Sequence, residues 1–358
     1  MAAIPTTYRA ARRTRGVGTA ETPLGIELVT ETLGEVRPGD VLVRVRAASL
    51  NFRDVAMLDG RYPIPALERG VPASDCSAEV VAVGAAVAGF AVGDRVAPTL
   101  ARYSLTGDED NVFHTVLGGD TDGVLREYAV FAAEQLVHLP RHLSWEEGAT
   151  ITCAGMTAWN ALKAVVADSL DKGKDKAVLL KGTGGVSMFG LLVALASGVR
   201  PIITSSSDAK LAAVQKLGAP GAVLGYNYGT TRDQAAAVAA LTGGLGVDVV
   251  VNTDGPASLP ADIASLRRRG TVAVVGFLGG PDGDWRPSEI LGLIAKGAHI
   301  SGIDGGSKRD FEELNRLLED KQVRLEPLVD RVFSFDETEK AFAYMNAGKH
   351  VGKVVIRL

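Results

Sequence analysis

Gly182, Thr183, Gly184 and Gly185 interrupt an apolar stretch, AVLLKGTGGVSMFG from Ala177 to Gly190, and are the residues of this chain best suited to hold a phosphate. Ala177 to Lys181 has strand character, and an apolar run of helical character extends from Val186 to Ser197. In the order strand, glycine turn, helix, Gly182 and Gly184 allow a tight turn and a close approach of main chain to a pyrophosphate. The helix then offers free N–H groups, from Gly185, Val186 and Ser187, together with the positive end of its dipole. The third glycine of the usual G-x-G-x-x-G is replaced by Ser187, so close packing of helix on sheet would fall to Gly190 and Ala194.

Pro201 to Thr204 reads as the next strand, whose end is where such a unit holds the adenosine ribose. No acid stands there; Ser205, Ser206 and Ser207 do, followed by Lys210. An aspartate would bond a ribose 2′-hydroxyl and repel a 2′-phosphate, whereas hydroxyls and an ammonium suit the phosphate, which favours NADP(H) over NAD(H). A purely structural account is open as well: Ser207 caps the helix beginning near Asp208, and Lys210 is a solvated charge. Capping needs one serine of the three, so the phosphate account is preferred. Asn252 and Thr253 follow another strand, DVVVN, and Gly276, Phe277 and Leu278 follow a further one. These strand ends are placed to carry the nicotinamide half of the cofactor largely by main chain, with Thr157 facing them from a helix. Core filling accounts equally for Phe277 and Leu278.

The elements that must position these residues belong to an ordinary globular chain. At 358 residues, with 46% hydrophobic and 22% charged residues, it has ample core for two or three domains. A net charge of −4 supplies no basic stripe for nucleic acid and no attraction to an anionic membrane, and no segment approaches the length of an uncharged membrane span. The only cysteines, Cys76 and Cys153, suit a reducing, cytoplasmic setting. Arg9, Arg12, Arg13 and Arg15 read as a solvated N-terminal segment, with organelle targeting the lesser alternative.

VLVRVRA from Val41 to Ala47 alternates as a half-buried strand, and strand character returns at Ala78 to Val83, Arg95 to Ala97 and Glu127 to Phe131. Residues Ala101 to Gly123 show no periodicity and read as a surface excursion; Leu143 to Leu162 reads as one helix. Beyond it, strands near Ala177, Pro201, Ala222, Val247, Thr271 and Ala298 alternate with helices, which implies an α/β fold with a doubly wound parallel sheet. Helices around Phe311 to Leu318 and Thr338 to Asn346 and a strand from Lys353 to Arg357 close the chain. That strand lies outside the alternating block and fits a return to the first domain, so that residues 1–150 and 310–358 form one domain around an inserted 151–309.

AASLNFRD (Ala47 to Asp54), GRYP (Gly60 to Pro63), SAEVVAVG (Ser77 to Gly84), VGDRV (Val92 to Val96), DGVLREY (Asp122 to Tyr128), TCAGMTAWNAL (Thr152 to Leu162), KGTGGVS (Lys181 to Ser187), TSSSDAKL (Thr204 to Leu211) and HVGKVVI (His350 to Ile356) occur in this order. Together they resemble the medium-chain dehydrogenase/reductase superfamily, on its zinc-independent, quinone-oxidoreductase-like and alcohol-dehydrogenase-like side. The resemblance covers nearly the whole chain. It implies a β-rich GroES-like domain completed by the C-terminal segment, an inserted Rossmann domain, an active-site cleft at their junction, NADPH as cofactor and a homodimer. It also implies that Tyr228 packs near the adenosine phosphate and that Lys353 lies in a segment approaching the nicotinamide.

In zinc-dependent relatives the ligands fall at positions resembling Asn51, Ser74 and Cys153, and an amide and a hydroxyl are poor zinc ligands. The C-x-x-C-x-x-C lobe of those relatives has no counterpart beyond Cys76. His114 has no Cys or His nearby in sequence, and Pro140 separates His138 from His142 on any shared helical face. Zinc is therefore not expected, and Cys153 reads as a small core residue near the cofactor. Hydride transfer to an activated C=C needs only positioning, a donor for the developing oxygen and a proton source. Similar quinone reductases carry tyrosines near the substrate. Tyr62 matches one such position; Ala56 stands at a second, which would enlarge the pocket. Asn51 is the expected amide donor to a substrate carbonyl. Structural roles are open for both residues, Tyr62 as a turn aromatic before Pro63 and Asn51 as a cap. The expected activity is NADPH-dependent, metal-free reduction of a small-molecule electrophile, an enone or a quinone. The alternatives are a zinc-free alcohol or carbonyl oxidoreductase and a non-catalytic NADPH-binding protein.

Overall fold

A computed structural model of the chain describes residues 4–110, 115–172 and 175–358; His114 lies outside them. The chain forms two compact units, one of Met1–Met156 with Gly306–Leu358 and one of Thr157–Gly305.

The first unit opens with an antiparallel pair, β1 (Thr7–Arg13) and β2 (Ile26–Thr32). Arg9, Arg12 and Arg13 are partnered within this fold and are not a solvated segment. Arg9 pairs with Glu127 and Asp336, Arg12 with Glu31 and Asp122, and Arg13 is only 1% exposed, donating to Gly118 O. Composition misleads here because the partners of the arginines, acids for Arg9 and Arg12 and a carbonyl for Arg13, are distant in sequence.

β3 (Asp40–Leu50) is the spine of the unit. Its alternation buries Val43 and Val45 and turns Arg44 and Arg46 outward. Helix α1 (Phe52–Ala56) follows at once, then β4 (Asp75–Val83), β5 (Arg95–Pro98), β6 (Tyr128–Ala132) and β7 (Leu136–His138). The 101–123 segment is only partly a surface excursion. Leu117 is 2% exposed, and the carbonyls of Leu117 and Gly118 serve the buried guanidinium groups of Arg53 and Arg13. Buried charges need such acceptors, which draws this stretch inward.

The stretch 143–162 is not one helix. Helix α2 (Trp145–Gly148) is capped by Ser144, a π-helical turn covers Ile151–Gly155, and α3 (Met156–Lys172) starts only then. Glu147 is held by Arg324 and by the N–H groups of Leu325 and Glu326, which pins α2 in place and leaves the wider turn to carry the chain into α3.

The second unit alternates strands and helices: β8 (Ala177–Leu180), α4 (Gly185–Ala196), β9 (Arg200–Ser205), α5 (Asp208–Val214), β10 (Leu224–Asn227), α6 (Gln234–Leu241), β11 (Val247–Asn252), α7 (Leu259–Ser265), β12 (Leu266–Val274), α8 (Gly292–Lys296) and β13 (His299–Gly302). The sheet is parallel throughout in the order β10-β9-β8-β11-β12-β13, a doubly wound Rossmann sheet. Its order reverses between β8 and β11, so the glycine turn after β8 sits at the switch point. Gly190 gives the close helix–strand approach: a Cβ there would meet Leu180 Cδ2 at 3.1 Å and Leu162 Cδ1 at 3.2 Å.

The chain then returns to the first unit with α9 (Lys308–Asp320), β14 (Val329–Ser334), α10 (Thr338–Asn346) and β15 (Lys353–Arg357). β15 pairs antiparallel with β3, and the sheet order is β14-β15-β3-β4-β5-β7 with β6 also on β3. The fold is thus α/β, with a GroES-like β unit interrupted by the Rossmann unit. Among the described residues no helix is long and apolar enough to cross a membrane.

Candidate functional site

In the second unit the carboxyl ends of β8, β9, β11 and β12 gather most of the expected cofactor residues. Gly182 has φ +75°, and its N–H donates to Thr204 Oγ1 at 3.0 Å, tying the glycine turn to the end of β9. The first bond within α4 runs from Met188 N–H to Gly184 O, so the N–H groups of Gly185, Val186 and Ser187 have no acceptor in their own helix. A Cβ built at Gly182 or at Gly184 meets nothing within 4 Å, so the space over the turn is open. These features fit a dinucleotide pyrophosphate. Ser187 Oγ donates back to Lys181 O at 2.7 Å, which closes the turn where a third glycine usually stands.

At the end of β9, Ser207 caps α5 by accepting Lys210 N–H, and Ser205 Oγ accepts Ser207 N–H at 3.1 Å. Ser206 is exposed, Lys210 half-buried, and Tyr228, 47% exposed, is joined to this corner by its N–H to Ser205 O at 3.1 Å. Across the switch point Thr253 Oγ1 donates to Lys181 O, Leu278 N–H donates to Thr253 O at 3.0 Å, and a Cβ on Gly276 would lie 3.1 Å from Thr253 O. Leu278 is 55% exposed, which overturns the core-filling account for it, while Phe277 is half-buried. Thr157 and Thr183 are buried, the first in the opening turn of α3.

Beneath the turn lies a network that residue spacing does not reveal. Fully buried Asp262 accepts from Lys181 Nζ (3.1 Å), Gln234 Nε2 (2.8 Å), Asn252 Nδ2 (2.7 Å) and Ser258 Oγ (2.9 Å). It braces the ends of β8 and β11 from below; the only sequence signal was an aspartate inside an apolar helix.

Lys353 falls elsewhere, in the first unit. Three neighbouring strands end along one line there. Leu50 of β3 pairs with Val354 of β15, and Ser49 of β3 pairs with Asp75 of β4, so Asn51, Lys353 and Asp75 meet. Lys353 Nζ donates to Asn51 Oδ1 and, at 3.2 Å, to Asp75 Oδ2. Ser74 Oγ donates to Asp75 Oδ1 at 2.8 Å. Asn51 also leads into α1, where its N–H donates to Asp54 Oδ2 at 2.8 Å. Its amide nitrogen, Nδ2, is buried and has no partner among the described residues. Arg53, on α1, donates to Leu117 O at 2.8 Å, and its guanidinium lies 5.8 Å from the centre of the Tyr62 ring. Burial pushes the carboxyl of Asp54 up, against the opposing pull of Arg53 and the Asn51 N–H. Ala56 is wholly buried and its carbonyl accepts Tyr62 N–H, which corrects the expectation that its small side chain enlarges a pocket.

Cys153 lies in the π-helical turn, and burial, with the charge of Asp75, pushes its thiol up to about 12 despite Lys353 and Arg53. The positions that resemble zinc ligands thus hold an amide oxygen taken by an ammonium, a hydroxyl donating to a carboxylate and one thiol, a poor set of donors for zinc. His138 binds Asp94 and His142 meets Val323 O. Among the described residues no three His, Cys, Asp or Glu side chains cluster as metal ligands.

Sequence comparison matches residues 37–141 to the alcohol dehydrogenase GroES-like domain and residues 185–320 to the zinc-binding dehydrogenase family. A zinc-type alcohol dehydrogenase-like protein of Schizosaccharomyces pombe is 39% identical over 326 residues, 90% of this chain and 92% of that one. A candidate alcohol dehydrogenase of Sinorhizobium meliloti, solved by crystallography, superposes with a TM-score of 0.86 at 33% identity, over 99% of this chain and all of the other. A crotonyl-CoA carboxylase/reductase structure superposes with a TM-score of 0.77 at 25% identity, over 99% of this chain and 89% of that one. The chain belongs to the medium-chain dehydrogenase/reductase superfamily and is an oxidoreductase of that type.

Proposed function

We propose that this chain is an NADPH-dependent reductase that works without zinc, delivering hydride to the β-carbon of an enone or to a quinone. The observation that carries this reading is the unpartnered, buried Nδ2 of Asn51 in a cluster whose remaining donors suit no zinc ion. Such an amide meets the oxygen on which charge develops as hydride is added, and a donor in a dry, fixed setting stabilises that charge far more than water does. Tyr62, whose ring lies beneath the Arg53 guanidinium, is assigned the return of a proton. The dinucleotide, when bound, supplies the hydride. Gly182, Gly184 and the start of α4 hold its phosphates, Asn252, Thr253, Gly276, Phe277 and Leu278 its nicotinamide half, and Ser205, Ser206, Lys210 and Tyr228 its 2′-phosphate corner. The crotonyl-CoA carboxylase/reductase likeness supports reduction of a conjugated C=C.

The alcohol-dehydrogenase-like relatives favour a second reading, a zinc-free alcohol or carbonyl oxidoreductase. The test is NADPH oxidation by metal-stripped protein against quinones, enones and simple ketones, with cofactor binding followed in parallel. Turnover of enones or quinones is the expected result. Turnover of ketones alone moves the assignment to the second reading, and loss of activity on stripping that zinc restores overturns the zinc-free mechanism.

A further inference from the structure

Lys353 lies 302 residues from Asn51 in sequence, yet its ammonium is 2% exposed and donates to the Asn51 side chain. An ammonium has donors only, so it dictates which end of the carboxamide faces it. The oxygen turns to Lys353, and the NH2 group is left pointing away, buried and without a partner among the described residues. The backbone of Asn51 is fixed independently by Asp54 at 2.8 Å, so the residue is held at both ends. Asp75, 0% exposed, accepts from Lys353 at 3.2 Å and from Ser74 and Ser49, and thereby holds the ammonium in turn. Without Lys353 the carboxamide would be free to present its oxygen instead, and a carbonyl oxygen facing a developing oxyanion repels it.

We infer that Lys353 is a positioning residue for reduction: it fixes the Asn51 carboxamide with its NH2 turned toward the substrate oxygen, acting through Asn51 and not as a contact of the dinucleotide. The inference rests on the reading of Asn51 as the donor to that oxygen.

Five variants test it: Lys353→Met, Lys353→Arg, Asn51→Ala alone and with Lys353→Met, and Asp75→Asn with Lys353→Met, the last of which leaves no unpaired charge buried should Lys353→Met fail to fold. The measurements are kcat and KM for the most active electrophile of the panel, the NADPH dissociation constant by fluorescence, and the 15N signal of the Asn51 side-chain amide, assigned by its loss in Asn51→Ala. The expected result is a kcat lower by roughly tenfold or more in both Met variants, partly restored by arginine, with NADPH affinity within about twofold of the parent protein. Asn51→Ala alone and combined with Lys353→Met should be equally slow, since one residue acts through the other. The Asn51 amide signal should shift and exchange faster with solvent in Lys353→Met. Weakened NADPH binding with kcat retained, or additive losses in the double variant, overturns the inference in favour of a cofactor contact. If the parent protein turns over nothing in the panel, the reductase reading fails by itself. The amide signal needs no turnover: a shift still supports the hold of Lys353 on Asn51, and an unchanged signal overturns it.

Discussion

The Glu147 carboxylate takes Nε and Nη2 of Arg324 at 3.0 Å each, across 177 residues of sequence. It also accepts the N–H groups of Ser144, Leu325 and Glu326, and its side chain is only 2% exposed. This joins the end of the N-terminal segment to the C-terminal segment that completes the same unit. Burial by itself would raise the Glu147 carboxyl, but Arg324 and the N–H groups of Ser144 and Leu325 more than reverse this and hold it at about 2. The folded value lies below that of an unfolded glutamate, about 4.3. Its contribution to stability is therefore complete above that value and lost as pH falls through it toward about 2. Glu147→Gln should lower stability at neutral pH by roughly 2 kcal/mol and flatten the acid limb of the stability curve. Urea unfolding at several pH values checks this; an acid limb as steep in the variant as in the parent protein rejects it.

The two leading glycines of the turn have separable roles. Gly182, at φ +75°, is in a conformation that a side chain strains, and Gly182→Ala should cost roughly 1 to 2 kcal/mol in the ligand-free protein. Gly184 has φ −80° and open space around a Cβ. Gly184→Ala should leave ligand-free stability unchanged within about 0.5 kcal/mol yet weaken dinucleotide binding, because the added methyl stands where the pyrophosphate must approach the backbone. Thermal unfolding with and without cofactor separates the two effects. Undiminished binding by Gly184→Ala would place the phosphates elsewhere.

The parallel sheet was legible because strands such as β8, β9 and β11 are mostly apolar, short and followed by a helix, a pattern that local residues carry by themselves. Gly182 was legible for the same reason, since a turn with positive φ leaves its mark in one residue type. What escaped the sequence depends on partners far along the chain. Arg13 looked like one of a run of surface cations because its acceptor, Gly118 O, lies in a segment with no periodicity. Asp75 and Asp262 carry no local signal of their role: their partners, the ammonium groups of Lys353 and Lys181, lie far along the chain. Lys353 was singled out only by the resemblance, and its place opposite Asn51 follows from the strand register of β15 on β3, which no local pattern encodes.

Ser206 and Lys210 carry the preference for the phosphorylated dinucleotide on the reading offered here, since Ser207 is spent on capping α5 and Ser205 accepts a main-chain bond. Each charge-assisted bond to a 2′-phosphate contributes roughly 1.5 to 3 kcal/mol. Lys210→Ala should therefore weaken NADPH roughly tenfold or more while leaving NADH nearly unchanged, and Ser206→Ala should act in the same direction with a smaller effect. Equilibrium titration of both dinucleotides decides it. Equal affinity of the parent protein for NADPH and NADH would remove the role assigned to this corner.

Asp262 offers the sharpest test of how the glycine turn is held. Four side chains converge on its carboxylate, and it has no exposure to water. Asp262→Ala leaves Lys181, 8% exposed, paired with Asp254 at 2.7 Å, a carboxylate that is itself 43% exposed. Removing one member of a buried pair typically costs about 3 to 5 kcal/mol, because the other charge is left uncompensated. Asp262→Asn keeps the shape and two lone pairs of the acceptor and should cost less. Lys181 directly precedes Gly182, and Asn252 directly precedes Thr253, so the loss should also be felt as weaker dinucleotide binding. Urea unfolding gives the stability change, and hydrogen exchange at the ends of β8 and β11 shows where the structure loosens. An Asp262→Ala protein as stable as the parent, with unchanged exchange at those strand ends, would mean that the turn is held by its own backbone geometry alone.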